Sequence, residues 1–184
     1  TSTTSIMHDV KVAKTVKDVS GDILTVAIGT HIMALPEETL RENTFLDVCI
    51  YNEAELPILD LIKNGYELEQ VKGIVYRRNN TIVKNAPHAL CQNMDDFGFP
   101  SHDKVPIELY HDPLMRKHPL TITYGQRGCI NRCTYCCSPF YGPLRHRSVD
   151  HLVRELKWIE ELGIKEIRFF DPGFTNNLEW TEKL

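Results

Sequence analysis

The sequence predicts an α/β protein, and two observations carry that expectation. Short apolar runs of strand type at 24–28 and 46–51 alternate with helical periodicity, the pattern of a parallel α/β layer. Farther on, 120–171 reads as strand, cysteine-rich loop, helix, strand, which would make a right-handed parallel crossover. With 184 residues, 42% hydrophobic and 25% charged, the chain has the make-up of an ordinary globular protein and room for one large or two small domains.

The elements follow in order. Ile6, Val10, Ala13 and Lys17 share one helical face over 6–18. The run Leu24-Thr25-Val26-Ala27-Ile28 suits a buried strand, with Gly29 at its carboxyl end. Leu35-Pro36-Glu37-Glu38 opens a helix, with proline in the first turn and acids facing the positive end of the dipole. After the strand at 46–51, a helix at 54–64 sets Leu56, Leu59 and Ile62 on one side and stops at Asn64-Gly65. The runs 73–76 and 81–84 then read as a β-hairpin. Pro87, Pro100, Pro106 and Pro113 mark 85–118 as a linker with fixed bends. The alternating Thr121-Ile122-Thr123-Tyr124 is a strand leading into the cysteine loop. Ser148 is set as an N-cap, and Val149, Leu152, Val153, Leu156, Ile159 and Leu162 form an amphipathic stripe closed by Gly163. The strand 166–171 ends at Asp171.

The formal net charge of −4 gives no electrostatic reason to expect nucleic acid or an anionic membrane as partner. No apolar run is long enough to span a bilayer, and no secretory signal is visible. The six cysteines are too locally spaced for a disulfide framework, so a reducing, cytoplasmic setting is expected. The start at Thr1 and the stop at Leu184, where a helix is beginning, lead us to expect a piece of a longer protein.

The chemistry concentrates at Cys129-Ile130-Asn131-Arg132-Cys133-Thr134-Tyr135-Cys136, a C-x3-C-x2-C loop. Soft thiolates select zinc, copper(I) or an iron–sulfur cluster. Three of them can occupy three corners of a cuboidal cluster and leave one iron open. Zinc would require a fourth ligand, available in Cys137 or His146, and a closed iron–sulfur shell would also require one. A closed shell would make the protein an electron carrier or a structural metal protein.

Gly128-Cys129-x3-Cys133-x-Tyr135-Cys136 after a strand resembles the cluster loop of the radical S-adenosylmethionine (SAM) enzymes. The resemblance implies a [4Fe–4S] cluster on Cys129, Cys133 and Cys136, S-adenosylmethionine bound at the free iron, and Tyr135 against its adenine. It also implies a small-molecule substrate and an external one-electron donor such as flavodoxin or ferredoxin. Arg145-x-Arg147-Ser148, Phe170-Asp171-x-x-Phe174 and Met94-Asp95-Asp96-x-x-Phe99-Pro100 resemble the subgroup with an amino-terminal cobalamin-binding domain. On that resemblance, 1–90 is the carboxyl-terminal part of a Rossmann-like cobalamin-binding domain with a β-hairpin. The linker is 91–118, and 119–184 holds the first units of a partial (β/α) barrel. The cobalamin tail is then expected near Ser5, Gly29 and Thr30, and Asp171 is expected to contact the SAM amino group or order its surroundings. The implied reaction is cobalamin-dependent methyl transfer or radical cyclisation, with this piece alone inactive. Two departures stand out: Gly29-Thr30 replaces a frequent Gly-Gly pair, and Tyr51-Asn52-Glu53-Ala54-Glu55 replaces a Gly-Glu-rich turn.

Several residues have plainer readings. Cys49 is expected to be a small core hydrophobe, Cys91 inert, and Cys137 a bystander thiol. His31 reads as a loop residue. Arg145 and Arg147 are either a solvated face or a pair of cations for a carboxylate. Glu155 and Glu160 are expected on the solvated side of their helix.

Overall fold

The computed structural model describes all residues from Thr1 to Leu184. The chain divides into two compact units, Thr1–Leu90 and Cys91–Leu184. No helix is long and apolar enough to cross a membrane.

The first unit is built on a four-stranded sheet of β1 (Val26–Ala27), β2 (Val48–Ile50), β3 (Ile74–Arg78) and β4 (Thr81–Lys84), in that spatial order. Only β1 and β2 run parallel, so the expected parallel layer is in fact a mixed sheet. Strand β3 pairs antiparallel with β2, and a hairpin extends the sheet: Asn79 and Asn80 both take positive φ (46° and 65°), the backbone a two-residue turn needs, so β4 returns antiparallel onto β3. Helices α1 (Ile6–Val19), α2 (Thr30–Ala34), α3 (Pro36–Glu42) and α4 (Glu55–Lys63) complete the unit.

One core cluster joins Ile6 and Val10 of α1 to Ala27, Ile32, Leu40, Leu46, Cys49 and Val75. The other joins Val48, Ile50, Leu61, Val71, Ile74 and Tyr76. Alternate residues of β2 thus serve opposite faces, as strand geometry dictates. Cys49 is fully buried, and desolvation pushes its thiol pKa up to about 12, so it behaves as a hydrophobe. Helix α4 turns a different side inward from the one its periodicity suggested. Pro57 and Leu61 are buried, whereas Leu59 and Ile62 are exposed. A nine-residue helix on a small sheet covers it with one narrow stripe, here the i, i+4 pair.

The second unit carries β5 (Leu120–Thr123) and β8 (Glu166–Phe169) as a parallel pair, with α5 (Val149–Glu161) between them in sequence. Ser148 caps α5 by accepting from the His151 N–H at 3.1 Å. A short antiparallel ribbon of β6 (Gln126–Arg127) and β7 (Arg145–His146) closes the base of the loop that carries the cysteines. Helix α6 (Leu178–Lys183) buries Trp180. The proline-bent stretch from Cys91 is part of this unit. It passes through 3-10 turns at 94–96, 102–104 and 107–109 and buries Met94 and His102. Its Phe99 packs edge-on to His151 and stacks with Trp158 of α5.

Ile50 is fully buried and Ile62 is 57% exposed. Ile50→Ala should therefore lower stability by about 3 kcal/mol, and Ile62→Ala by no more than about 0.5 kcal/mol. Urea unfolding of the two variants beside the parent checks the difference.

Candidate active site

The loop bearing Cys129, Cys133, Cys136 and Cys137 leaves a base in which nearly every backbone group is held. Beyond Thr123 the chain turns through Tyr124 and Gly125. The Asp171 carboxylate, just past β8, accepts from the Gly125 N–H at 2.9 Å and the Gln126 N–H at 2.5 Å. From the other side, the Arg147 guanidinium donates to the Tyr124 carbonyl at 3.0 Å, and the Arg147 N–H donates to the Gly125 carbonyl at 2.9 Å. Gln126 is fully buried and its Nε2 donates to the Gly173 carbonyl at 2.9 Å.

Glycine is required at two positions of this base. A Cβ on Gly125 would lie 2.4 Å from the Trp180 ring, which is itself fixed by donating Nε1–H to the Arg147 carbonyl at 2.8 Å. Gly128 has φ +76°, and a Cβ there would fall 2.2 Å from the Pro143 carbonyl oxygen. The cysteine loop therefore leaves and rejoins the fold at nearly the same point.

The thiols themselves face outward. Cys129 is half-buried, while Cys133, Cys136 and Cys137 are exposed. The Cys136 Sγ lies 3.3 Å from the Ser138 hydroxyl and accepts from the Ser138 N–H at 3.4 Å, and these contacts hold its pKa below the usual thiol value. Cys137 precedes a 3-10 turn at 138–141. Tyr135 is 90% exposed. No three metal-ligating side chains converge on one point. As a donor set, however, three soft thiols on one accessible loop fit an iron–sulfur cluster, and the rigid base fits a ligand that must be held in register.

Asp171 is placed where the sequence put it, at the end of β8, but its carboxylate is already engaged by two amides. Burial raises its pKa; the Gly125 and Gln126 N–H groups, Arg147 and His146 oppose that rise without cancelling it. Arg145 is also committed, donating to the carbonyls of Cys91 at 2.7 Å and Tyr141 at 2.6 Å. Neither arginine lies on a solvated face: each is only 6% exposed.

Glu155 corrects the sequence reading. It is fully buried, not solvated: its Oε1 accepts from Thr123 Oγ1 at 2.6 Å and faces His102 Nε2 at 3.1 Å, and its Oε2 abuts the Arg147 guanidinium. Burial would raise its pKa, but the contacts to His102, Thr123 and Arg147 outweigh that and lower it. The missed signal was positional. Leu152, Glu155, Leu156 and Ile159 follow i, i+3, i+4, i+7, so Glu155 lies on the inward stripe despite its charge.

The remaining predicted positions lie in the first unit, at the carboxyl end of β1. Gly29 has φ +115°, and a Cβ there would sit 2.4 Å from Thr1 backbone atoms. Thr30 begins α2. The Ser5 hydroxyl donates to Asp9 at 2.8 Å and accepts from the Ser2 N–H at 2.9 Å. His31, the first-turn residue of α2 rather than a loop residue, is 3.1 Å from the Thr3 hydroxyl. The structure thus brings the hydroxyl-rich 1–5 turn over the end of β1.

Residues 123–184 match the family described as the Radical SAM superfamily. The chain is 34% identical to an uncharacterized methyltransferase of Pyrococcus horikoshii, over 96% of this chain and 39% of the relative. It is 26% identical to the anaerobic magnesium-protoporphyrin IX monomethyl ester cyclase of Synechocystis, over 79% of this chain and 30% of that one. Among solved structures, the radical S-adenosylmethionine methyltransferase TsrM from Kitasatospora setae, with cobalamin and a [4Fe-4S] cluster bound, shares the fold. Its TM-score is 0.68 at 15% identity, over 97% of this chain and 36% of TsrM. The chain spans only 30 to 39% of the length of these relatives.

Two outcomes follow from the site. Gly128→Ala should destabilise the second unit by about 1–2 kcal/mol through the left-handed backbone alone, with the carbonyl clash adding to that; limited proteolysis should then cut the cysteine loop faster. The second concerns pH. His146 and His151 are held below the ordinary 6.5, and Glu155 and Asp95 below 4.5 and 3.8. In each case the native state binds fewer protons than the unfolded chain, so stability falls as pH falls. The decline should begin below about pH 6.5 and steepen below about 4.5, with the raised Asp171 offsetting part of it; denaturant midpoints across pH 3–8 check this.

Proposed function

We propose, from the match of residues 123–184 to the Radical SAM superfamily, that the chain is part of a radical SAM enzyme of the cobalamin-dependent kind. In this reading Cys129, Cys133 and Cys136 hold a [4Fe–4S] cluster and leave one iron to S-adenosylmethionine. When bound, the cluster supplies the electron that cleaves S-adenosylmethionine to a 5′-deoxyadenosyl radical. The observation that carries the reading is the C-x3-C-x2-C loop launched from a fully clamped strand end, between β5 and α5 of a parallel β–loop–α–β unit.

The chain's own residues have distinct parts. Asp171 fixes the turn at Gly125 and Gln126 rather than offering a free carboxylate. Ser138 favours the thiolate form of Cys136, which a cluster ligand requires. In this reading Tyr135, exposed beside Cys136, lies against the adenine. We assign 1–90 to a Rossmann-like cobalamin-binding domain, with Ser5, Gly29 and Thr30 around the nucleotide tail. The segment 119–184 begins a partial (β/α) barrel, with 91–118 leading into it. Parallel strands bind ligands beyond their carboxyl ends, where these residues lie. We further propose an external one-electron donor and a small-molecule substrate, in a reducing, cytoplasmic setting. Methyl transfer is favoured over radical cyclisation, because the methyltransferase relative matches more of the chain at higher identity than the cyclase relative does.

Anaerobic reconstitution of the full-length protein tests the reading. The expected result is a [4Fe–4S] absorption spectrum whose EPR signal changes on adding S-adenosylmethionine. Cys129→Ala, Cys133→Ala or Cys136→Ala should each lower iron content several-fold, and Cys137→Ala should leave it unchanged. A cluster indifferent to S-adenosylmethionine and lost in Cys137→Ala would instead mean a closed-shell electron carrier. Retention of hydroxocobalamin absorbance after desalting tests the first domain.

A further inference from the structure

We infer that Glu155, Arg147 and His102 form a positioning device that sets the backbone from which the cysteine loop leaves β5. The three come from separate parts of the second unit: the middle of α5, the residue after β7, and the proline-bent stretch. Glu155 is the hub. It is fully buried, with Thr123 Oγ1 donating to its Oε1 at 2.6 Å, His102 Nε2 at 3.1 Å from the same oxygen, and Arg147 against its other oxygen. His102 is held in turn by the Thr121 hydroxyl at 2.9 Å and lies over Trp158. Thr121 and Thr123 belong to β5, so the hub is locked to the strand that precedes the loop.

Arg147 transmits the constraint. A planar guanidinium offers donors in fixed directions. Here Nε points to His151 Nδ1 at 3.0 Å and Nη1 to the Tyr124 carbonyl at 3.0 Å, while the charge rests against Glu155. Without Glu155 the cation would be buried and unpaired, and would swing toward water. The Tyr124 carbonyl would then lose its donor, and the turn at 124–126 would keep Asp171, the Arg147 backbone and the Gln126 contacts but be released at its first residue. Arg147 is consequently a positioning residue rather than a site for a ligand carboxylate.

Two readouts on the full-length protein test this, and only the second rests on the proposed function. In the cluster-free protein, Glu155→Gln keeps the shape and an acceptor for Thr123 but removes the charge. Amide hydrogen exchange at 125–128 should quicken about tenfold, with β2 and β3 unchanged. Glu160→Gln, exposed on the same helix, should leave 125–128 unaltered. If Glu155→Gln unfolds the second unit, the paired replacement Arg147→Met with Glu155→Met removes both charges at similar volume. The same loosening at 125–128 is then expected, with α5 still protected. Unchanged exchange at 125–128 in the folded variant overturns the inference. In the reconstituted protein, Glu155→Gln should hold iron within about twofold of the parent yet show a weakened EPR response to S-adenosylmethionine. A parent protein with no such response overturns the proposed function and leaves the exchange result to decide the positioning role.

Discussion

The backbone turn at Tyr124, Gly125 and Gln126 is pinned from two sides, and the rest of the candidate site depends on that. Asp171 takes two N–H groups and Arg147 satisfies two carbonyls. Hydrogen bonds to charged groups contribute about 1.5–3 kcal/mol each, so this short turn is held more firmly than its lack of regular structure suggests. The clamp joins the ends of both parallel strands, because Asp171 follows β8 and the turn follows β5. An exposed loop can thus be both accessible and placed.

The clamp has a cost. Four ionisable groups, Arg147, Glu155, Asp171 and His102, are taken largely or wholly out of water around it. Burial opposes ionisation of Glu155 and Asp171, and only the matched partners reverse that for Glu155. Buried pairs of this kind contribute little net stability compared with a packed apolar core. Their value lies in geometry: the hydrogen bonds from Thr123 to Glu155, from Arg147 to Tyr124 and from Gly125 and Gln126 to Asp171 each run in one direction and fix the turn.

The first unit is organised differently. Its sheet is fixed by apolar residues of β2 that serve two cores, and by a hairpin turn that reverses the chain. Thr25 adds a polar tie, donating its hydroxyl to the Phe45 carbonyl at 2.6 Å and its N–H to Asp47 at 2.8 Å. The close approach of Gly29 to Thr1 leaves no room for a side chain at that position, and Thr1 and Thr3 bring hydroxyls to the carboxyl end of β1. That is the surface on which the corrinoid proposal for this unit stands.

Much of this was readable from residues alone. The cysteine spacing, the Ser148 cap, the α5 stripe, the hairpin asparagines and the strand ending at Asp171 are local signals, governed by periodicity, capping and turn chemistry within a few residues. What only the tertiary structure decided was the pairing of distant polar groups and the choice of buried face. Glu155 looked solvated because charge normally faces water; Arg147, Thr123 and His102, brought from elsewhere in the chain, make its burial tolerable. Asp171 reads from sequence as a contact to the SAM amino group or as a residue ordering its surroundings, and only the fold shows the amides of Gly125 and Gln126 against its carboxylate. On α4, periodicity pointed to Leu56, Leu59 and Ile62, and packing against the small sheet chose Pro57 and Leu61 instead. Sequence determined which donors the loop carries; the folded chain decided how that loop is held.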